Sequence, residues 1–111
     1  MVLIPYAGRA VLDIRKLEAY CLNPAHPRGR HKARVFREAL GIGQRDAAWL
    51  QAVLLDGVRN AQASEIASDN FGARWQADIP LARHDRRVVV RTIWIVRGGE
   101  EIPRFVTCWV L

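Results

Sequence analysis

The sequence has 111 residues, half of them apolar and a quarter charged, which predicts one globular domain spanning residues 1–111 with a core of its own. Its 17 Lys and Arg residues outnumber 11 Asp and Glu, giving a formal net charge of +6, and only Lys16 and Lys32 are lysines. Because an arginine guanidinium can bind two phosphate oxygens at once, this balance favours nucleic acid or another polyanion as a partner.

The same composition argues against several classes of protein. Two cysteines cannot form a disulfide framework, and three scattered histidines without a CxxC motif do not suggest a metal site. The apolar runs are too short to span a membrane. We therefore expect a reduced, cytoplasmic protein without a metal or a cofactor.

The first part of the chain is predicted to be an extended arm over residues 1–8, which contain Pro5 and Gly8. Residues 10–12 are expected to add a short strand. A helix should then run from Asp13, whose side chain is a favourable N-cap, to about residue 21, because the next residues include Asn23–Pro24.

Residues 22–41, LNPAHPRGRHKARVFREALG, predict a loop followed by a short amphipathic helix that ends at a glycine. Ala33 and Phe36 belong to the apolar stripe of this helix, and Lys32 falls inside the stripe, one turn before Phe36. The Lys32 side chain must therefore either extend past the helix start to solvent or reach into a site under the helix. His31 falls on the polar side.

The start of this helix is a candidate phosphate site. Helix starts have unpaired backbone N–H groups and a partial positive charge. Cationic side chains cluster at this point in the sequence: Arg28, Arg30, His31, Lys32 and Arg34.

The remainder of the chain predicts one more helix and a sheet. Helical spacing of apolar residues, including Trp49 and Leu54, indicates a helix over residues 44–60. The pattern then changes to strands over residues 61–68, 74–81, 87–97 and 102–111. The predicted fold class is α+β, with two to three N-terminal helices packed on a four-stranded antiparallel meander sheet.

Turn lengths predict the register of this sheet. Four-residue turns at 83–86 and 98–101 would pair Trp75 with Trp94, and Thr92 with Thr107. The covered face would then include Thr92, Trp94, Phe105, Thr107 and Trp109, and the open face Arg91, Arg104 and Cys108.

The arginines of the open face have two interpretations. Arginines among aliphatic residues could grip a phosphodiester backbone while the aliphatic groups contact bases or sugars. Alternatively, charged residues simply keep an open sheet face soluble, and Arg91 pairs with Asp78.

The chemistry that remains open to this chain is metal-free. The sequence contains no common nucleophile, phosphate-loop or dinucleotide motif. Histidine, lysine, arginine and threonine can nevertheless cleave RNA, through attack of a 2′-OH on the adjacent phosphorus. His31 would act as base or acid, because histidine exchanges protons near neutral pH. We predict His31, Lys32, Arg91 and Thr107 as catalytic residues, and Arg28, Arg30, Arg34, Thr92 and Arg104 as substrate ligands.

Three stretches, LDIRKLEAYCLNPAHPRGRHKARVFREALG, VRTIWIV and PRFVTCWVL, resemble a small uncharacterised bacterial domain family. Its pattern is roughly LNPxHPxGxHKAxxF, then VxTxWI, then PRxVT. The match spans nearly the whole chain, with Phe105 where an aliphatic residue is common and Trp109 where tyrosine is common. The polar motif positions of the family fall on His31, Lys32, Arg91, Thr92, Arg104 and Thr107.

The resemblance implies a toxin-type activity. Members look like stand-alone gene products beside a small partner gene, and like C-terminal modules of large secreted polymorphic toxins. The order of elements is similar to the barnase/RelE-type ribonuclease fold, which cuts RNA without a metal.

We therefore expect a metal-independent ribonuclease of toxin type that cleaves tRNA, mRNA or rRNA by general acid/base chemistry. Its expected partners are RNA and a small cognate antitoxin or immunity protein, with no membrane. Two alternatives stay open. The chain could be a non-catalytic partner-binding module, such as the antitoxin or immunity half of a gene pair, or an RNA-binding domain without turnover.

Overall fold

A computed structural model describes residues 1–111 and has the predicted order of elements. Helices and turns come first, and one four-stranded antiparallel sheet in the order β1-β2-β3-β4 follows them, so the predicted α+β fold is confirmed. None of the helices combines the length and the apolar character that a membrane span requires. The helices are α1 (Arg30–Leu40) and α2 (Ala47–Val58), and the strands are β1 (Ala63–Asp69), β2 (Gly72–Arg83), β3 (Arg86–Arg97) and β4 (Arg104–Val110).

The N-terminal segment is less regular than predicted. The arm expected over residues 1–8 closes into a 3-10 turn at Ala7–Arg9, and the strand expected over residues 10–12 is a single parallel bridge from Val11 to Arg104. The helix expected over residues 13–21 contains a π-helical turn, Leu17–Cys21. Turns of this wide type are rare and occur often at functional sites.

Helix α1 forms as its sequence predicts. Ala33, Phe36 and Leu40 of its apolar stripe are buried. The helix ends at Gly41, whose φ of 69° is in the left-handed region that glycine adopts without strain.

The core lies between the helices and one face of the sheet, with α1 over β3 and β4 and α2 over β2. Trp94 and Phe105 are fully buried on neighbouring strands and pack edge to face, with ring centroids 5.4 Å apart. Phe36 of α1 and Leu54 of α2 are also fully buried. These contacts fix α1 close to β4, an edge strand of the sheet.

The register of β2 and β3 agrees with the prediction. Trp75 pairs with Trp94 across the two strands. The turn that joins them is shorter than expected, with only His84 and Asp85 between the paired residues Arg83 and Arg86. Each strand is therefore longer than predicted, but the pairing is unchanged.

The register of β3 and β4 changes by one residue part-way along the strands. Trp94 pairs with Phe105, as predicted, but Ile93 pairs with Thr107. Val106 is thus the extra residue of a β-bulge, a feature that re-aims the side chains after it.

This bulge overturns part of the predicted face assignment. Thr92 pairs with Cys108 rather than with Thr107, and Arg91 pairs with Trp109. Because paired residues share a face of the sheet, Thr107 and Trp109 belong to the face of Arg91, whereas Cys108 is buried on the covered face.

Candidate functional site

His26 organises the loop that leads into α1. Its Nδ1 accepts hydrogen bonds from the backbone N–H groups of Arg28 and Gly29, each at 3.0 Å, and its carbonyl oxygen accepts one from Arg30 N at 3.0 Å. Its ring packs edge to face against Tyr20, with centroids 4.7 Å apart. These three N–H groups are therefore already bonded within the chain, and the predicted phosphate site loses them as donors.

Asn23 and Gly29 fix the path of the same loop. Asn23 Nδ2 donates to Ala19 O at 3.2 Å, and its Oδ1 accepts from Ala25 N at 2.9 Å. Gly29 lies so close to the preceding turn that a Cβ atom there would be 2.1 Å from Tyr20 O. A side chain at position 29 would therefore push the start of α1 away from Tyr20.

The Lys32 side chain extends from α1 to the hydroxyl groups of Tyr20 and Thr107. Its Nζ donates to Thr107 Oγ1 at 3.0 Å and to Tyr20 Oη at 3.2 Å. The same atom lies 4.7 Å from the centroid of the Tyr20 ring and 5.5 Å from that of the Trp109 ring. Of the two placements that the sequence left open, Lys32 takes the one under the helix.

Lys32 has no carboxylate partner. The five ion pairs of the protein all use arginine. An ammonium has three N–H donors, and only two of those of Lys32 have a protein acceptor. The third is free for a ligand.

Thr107 connects Lys32 to a pair of buried, reduced cysteines. Cys21 Sγ lies 3.8 Å from Thr107 Oγ1, and neither Cys21 nor Cys108 is exposed. A hydrogen bond from Cys108 lowers the pKa of Cys21 against the opposing effect of burial, and Thr107 and Lys32 lower it further, from 9.0 to about 6. The hydrogen bond to Cys21 and burial both raise the pKa of Cys108 well above 9.0. One thiol of the pair thus ionises readily and the other does not.

Titration of the native protein should show one thiolate forming near pH 6. Because folding lowers the pKa of Cys21, its ionisation stabilises the fold fully above pH 9, the unfolded value, and this contribution is lost as the pH falls through about 6. Ultraviolet absorbance of the thiolate measures the step. Cys21→Ser should abolish it, and Cys108→Ala should move it to higher pH by removing the hydrogen-bond donor. A first step only near pH 9 would contradict this prediction.

The Lys32 site opens to solvent through a shallow cavity of about 280 Å³. It is lined by His31, Lys32 and Val35 of α1 and by Trp109 and Val110 of β4. His31 is exposed at its rim. The cavity therefore joins one cation and one histidine to a mainly apolar wall.

The motif residues of the first half of the chain and Thr107 near its end thus form one structural unit. A family model described as a domain of unknown function, DUF6883, matches residues 3–111. The chain belongs to the DUF6883 family. This confirms the predicted resemblance to an uncharacterised domain family. Comparisons with curated proteins and with solved structures gave no match.

In this DUF6883 domain, only some of the predicted catalytic residues meet. Lys32 and Thr107 are in contact, with His31 at the rim of their cavity. Arg91 lies on the same sheet face, but its guanidinium donates to Asp78 on β2 at 2.9 and 3.0 Å, away from β4. This hydrogen bonding raises the pKa of Arg91. The pairing of Arg91 with Asp78 that the sequence allowed is therefore present.

Two of the predicted substrate ligands lie elsewhere. Thr92 is fully buried; its hydroxyl donates to Ala77 O at 2.6 Å and accepts from Trp94 Nε1 at 2.7 Å. Arg104 Nε donates to Glu100 Oε2 at 3.0 Å. The structure brings neither side chain into contact with Lys32.

The other predicted substrate ligands, Arg28, Arg30 and Arg34, remain near Lys32 in the sequence and are exposed. None of them forms an ion pair. No group of three or more His, Cys, Asp or Glu side chains is arranged to hold a metal ion.

Sequence reasoning missed Tyr20, Cys21 and the role of His26. The only available signal was position, since a tyrosine and a cysteine end the helical segment directly before the motif loop. Their contacts with Lys32 and Thr107 depend on the π-helical turn and on the β-bulge, which have no local sequence pattern.

Proposed function

We propose that this DUF6883 domain is a metal-independent endoribonuclease of toxin type, in which Lys32 binds the scissile phosphate. The observation that carries the proposal is the state of the Lys32 ammonium. It is half-buried, held by the two neutral hydroxyls of Tyr20 and Thr107, and lacks a carboxylate partner. A partly desolvated charge of this kind favours an anion, and a phosphate oxygen would accept the third N–H.

The charge around Lys32 supports a polyanion rather than a small acid. The chain contains no acidic residue between Glu18 and Glu38, whereas this stretch contains Lys32 and four arginines, Arg28, Arg30, Arg34 and Arg37. Unpaired exposed arginines raise the local concentration of a nucleic acid and bind its phosphates in a salt-dependent manner. A cognate antitoxin or immunity protein, in this proposal, covers the same cations.

The residues at the cavity suffice for cleavage by the 2′-OH. His31 takes the proton of the 2′-OH as its oxygen bonds to phosphorus, and the protonated imidazole gives that proton to the 5′-oxygen as the bond from phosphorus to the 5′-oxygen breaks. Lys32 donates to the non-bridging oxygen, on which negative charge grows in the phosphorane. The products are a 2′,3′-cyclic phosphate and a 5′-OH, so protons and charge balance without a second reactant.

Thr107 and Cys21 act as positioning residues in this scheme. Because Lys32 donates to Thr107 Oγ1, the threonine hydroxyl hydrogen is free to point at the Cys21 sulfur. A thiolate at Cys21 would hold Thr107 in that orientation and so keep the lone pairs of the oxygen directed at Lys32.

The test is RNA cleavage by the purified chain in the presence of a chelator. We expect fragments that end in a 2′,3′-cyclic phosphate, with His31→Ala and Lys32→Ala both leaving the RNA intact while remaining folded. Expression in a bacterial host should arrest growth and degrade RNA, and the same variants should restore growth. Harmless expression of a folded wild-type protein with intact RNA would overturn the proposal. Salt-dependent RNA binding without cleavage would indicate that the protein is an RNA-binding domain without turnover.

A further inference from the structure

The cavity beside Lys32 has a composition that a phosphate alone does not require. Val35, Trp109 and Val110 form most of its wall, and the Trp109 indole is half-exposed. The cavity is shallow and open to solvent, with a volume of about 280 Å³, so a planar group can lie against the indole without entering the core. A flat aromatic wall next to a cation is the arrangement that binds a base together with its phosphate.

The placement of Lys32 agrees with a nucleotide bound through its base and one phosphate. Lys32 Nζ lies 5.5 Å from the Trp109 ring centroid, on the α1 side. Arg91 lies directly opposite Trp109 in the register of β3 and β4, and shares its face of the sheet. The Arg91 guanidinium is bonded to Asp78 and points away from β4, so Lys32 is the cation beside the indole, and the site offers one phosphate position next to the base.

We infer that Trp109 is the base-binding residue of this site, and that the substrate is single-stranded RNA with an unpaired base next to the cleaved phosphate. This inference rests on the proposed function and adds a substrate class to it. Sequence tolerance follows from it, because every base offers a flat face for stacking. A paired base, whose faces are occupied by its neighbours, is excluded.

The direct test compares the affinity of the whole chain for adenosine monophosphate with its affinity for ribose phosphate. Both affinities are measured by tryptophan fluorescence and by calorimetry. Stacking on one aromatic ring corresponds to about 5- to 150-fold in affinity, so the nucleotide should bind tighter than the sugar phosphate by a factor in that range. Trp109→Ala should remove the difference, and Trp109→Phe should keep most of it. Trp49→Phe is the matched control, since Trp49 packs against Arg83 at 4.6 Å and does not line the cavity.

A second variant keeps the test decisive if Trp109→Ala fails to fold. Val35→Phe fills the cavity from α1 without altering the sheet, and should weaken the nucleotide far more than ribose phosphate. Equal affinity for the two probes, or a preference that survives both Trp109→Ala and Val35→Phe, would overturn the inference. Cleavage at an unchanged rate in Trp109→Ala would overturn it while leaving the ribonuclease proposal intact. If the protein binds nucleotides in a base-dependent way but leaves RNA intact, the inference about Trp109 is supported and the ribonuclease proposal is overturned.

Discussion

Replacing Lys32 with methionine should lower the rate of RNA cleavage by about 10²–10³-fold, the usual cost of removing one preorganised donor from a developing charge. The free energy of unfolding should change by no more than about 1 kcal/mol, for two opposing reasons. The variant loses two hydrogen bonds to neutral hydroxyls, but it also no longer desolvates a charge that has no carboxylate partner. Methionine keeps most of the length of the lysine side chain without its charge.

Arg34→Met is the matched control for this prediction. It removes the same unit of charge from the same helix, but Arg34 is exposed and forms no ion pair or hydrogen bond with the site. Its cleavage rate should fall by less than about tenfold and recover as salt is lowered, as expected for a phosphate contact. Initial rates and urea unfolding curves separate the two variants. Equal losses of activity, or a large loss of stability in Lys32→Met alone, would assign Lys32 a structural role instead.

Much of the fold could be predicted because its signals are local. The helical spacing in α2 and the glycine that ends α1 depend only on neighbouring residues. The register of β2 and β3 was also predictable, although the turn has two residues rather than four. Shortening a turn by a symmetric pair of residues leaves every other pairing unchanged.

The β3–β4 register could not be predicted in the same way. A bulge at Val106 adds one residue to β4, whose sequence RFVTCWV has no strict alternation of apolar and polar residues that would fix its register. That single residue moves Thr107 and Trp109 to the other face, and their predicted burial beside Thr92 was wrong for this reason. Once the bulge is included, Thr107 lies on the same face as Arg91, whereas Thr92 stays on the covered face.

The candidate site was predictable only in part. Helical spacing left the direction of the Lys32 side chain open, because a lysine at this position can either extend to solvent or reach under the helix. Its destination depends on where Tyr20 and Thr107 lie, and these residues are 12 and 75 positions away in the chain. The histidine side chain of His26 satisfies N–H groups ahead of α1, a task usually given to Ser, Thr, Asp or Asn, so propensity did not identify it.

Gly29→Ala should destabilise the protein by about 3 kcal/mol or more, the upper end of the cost of overpacking. The added Cβ would meet Tyr20 O at 2.1 Å, and a backbone oxygen cannot rotate away as a side chain can. The φ of −85° at Gly29 is open to alanine, so the cost comes from the clash and not from the backbone conformation. Relief requires the start of α1 to move away from Tyr20, which also withdraws Lys32 from Tyr20 and Thr107.

Gly8→Ala is the control for Gly29→Ala, because no atom lies within 4 Å of a Cβ placed at Gly8. Its free energy of unfolding should stay within about 0.5 kcal/mol of the wild type. Repeating Gly29→Ala in a Tyr20→Ala background distinguishes the two possible sources of the clash, the carbonyl oxygen and the ring. If the carbonyl is responsible, the full cost remains after the ring is removed. Recovery in the double variant, or a Gly29→Ala protein as stable as Gly8→Ala, would show that the motif glycine does not set the distance between α1 and Tyr20 on which the position of Lys32 depends.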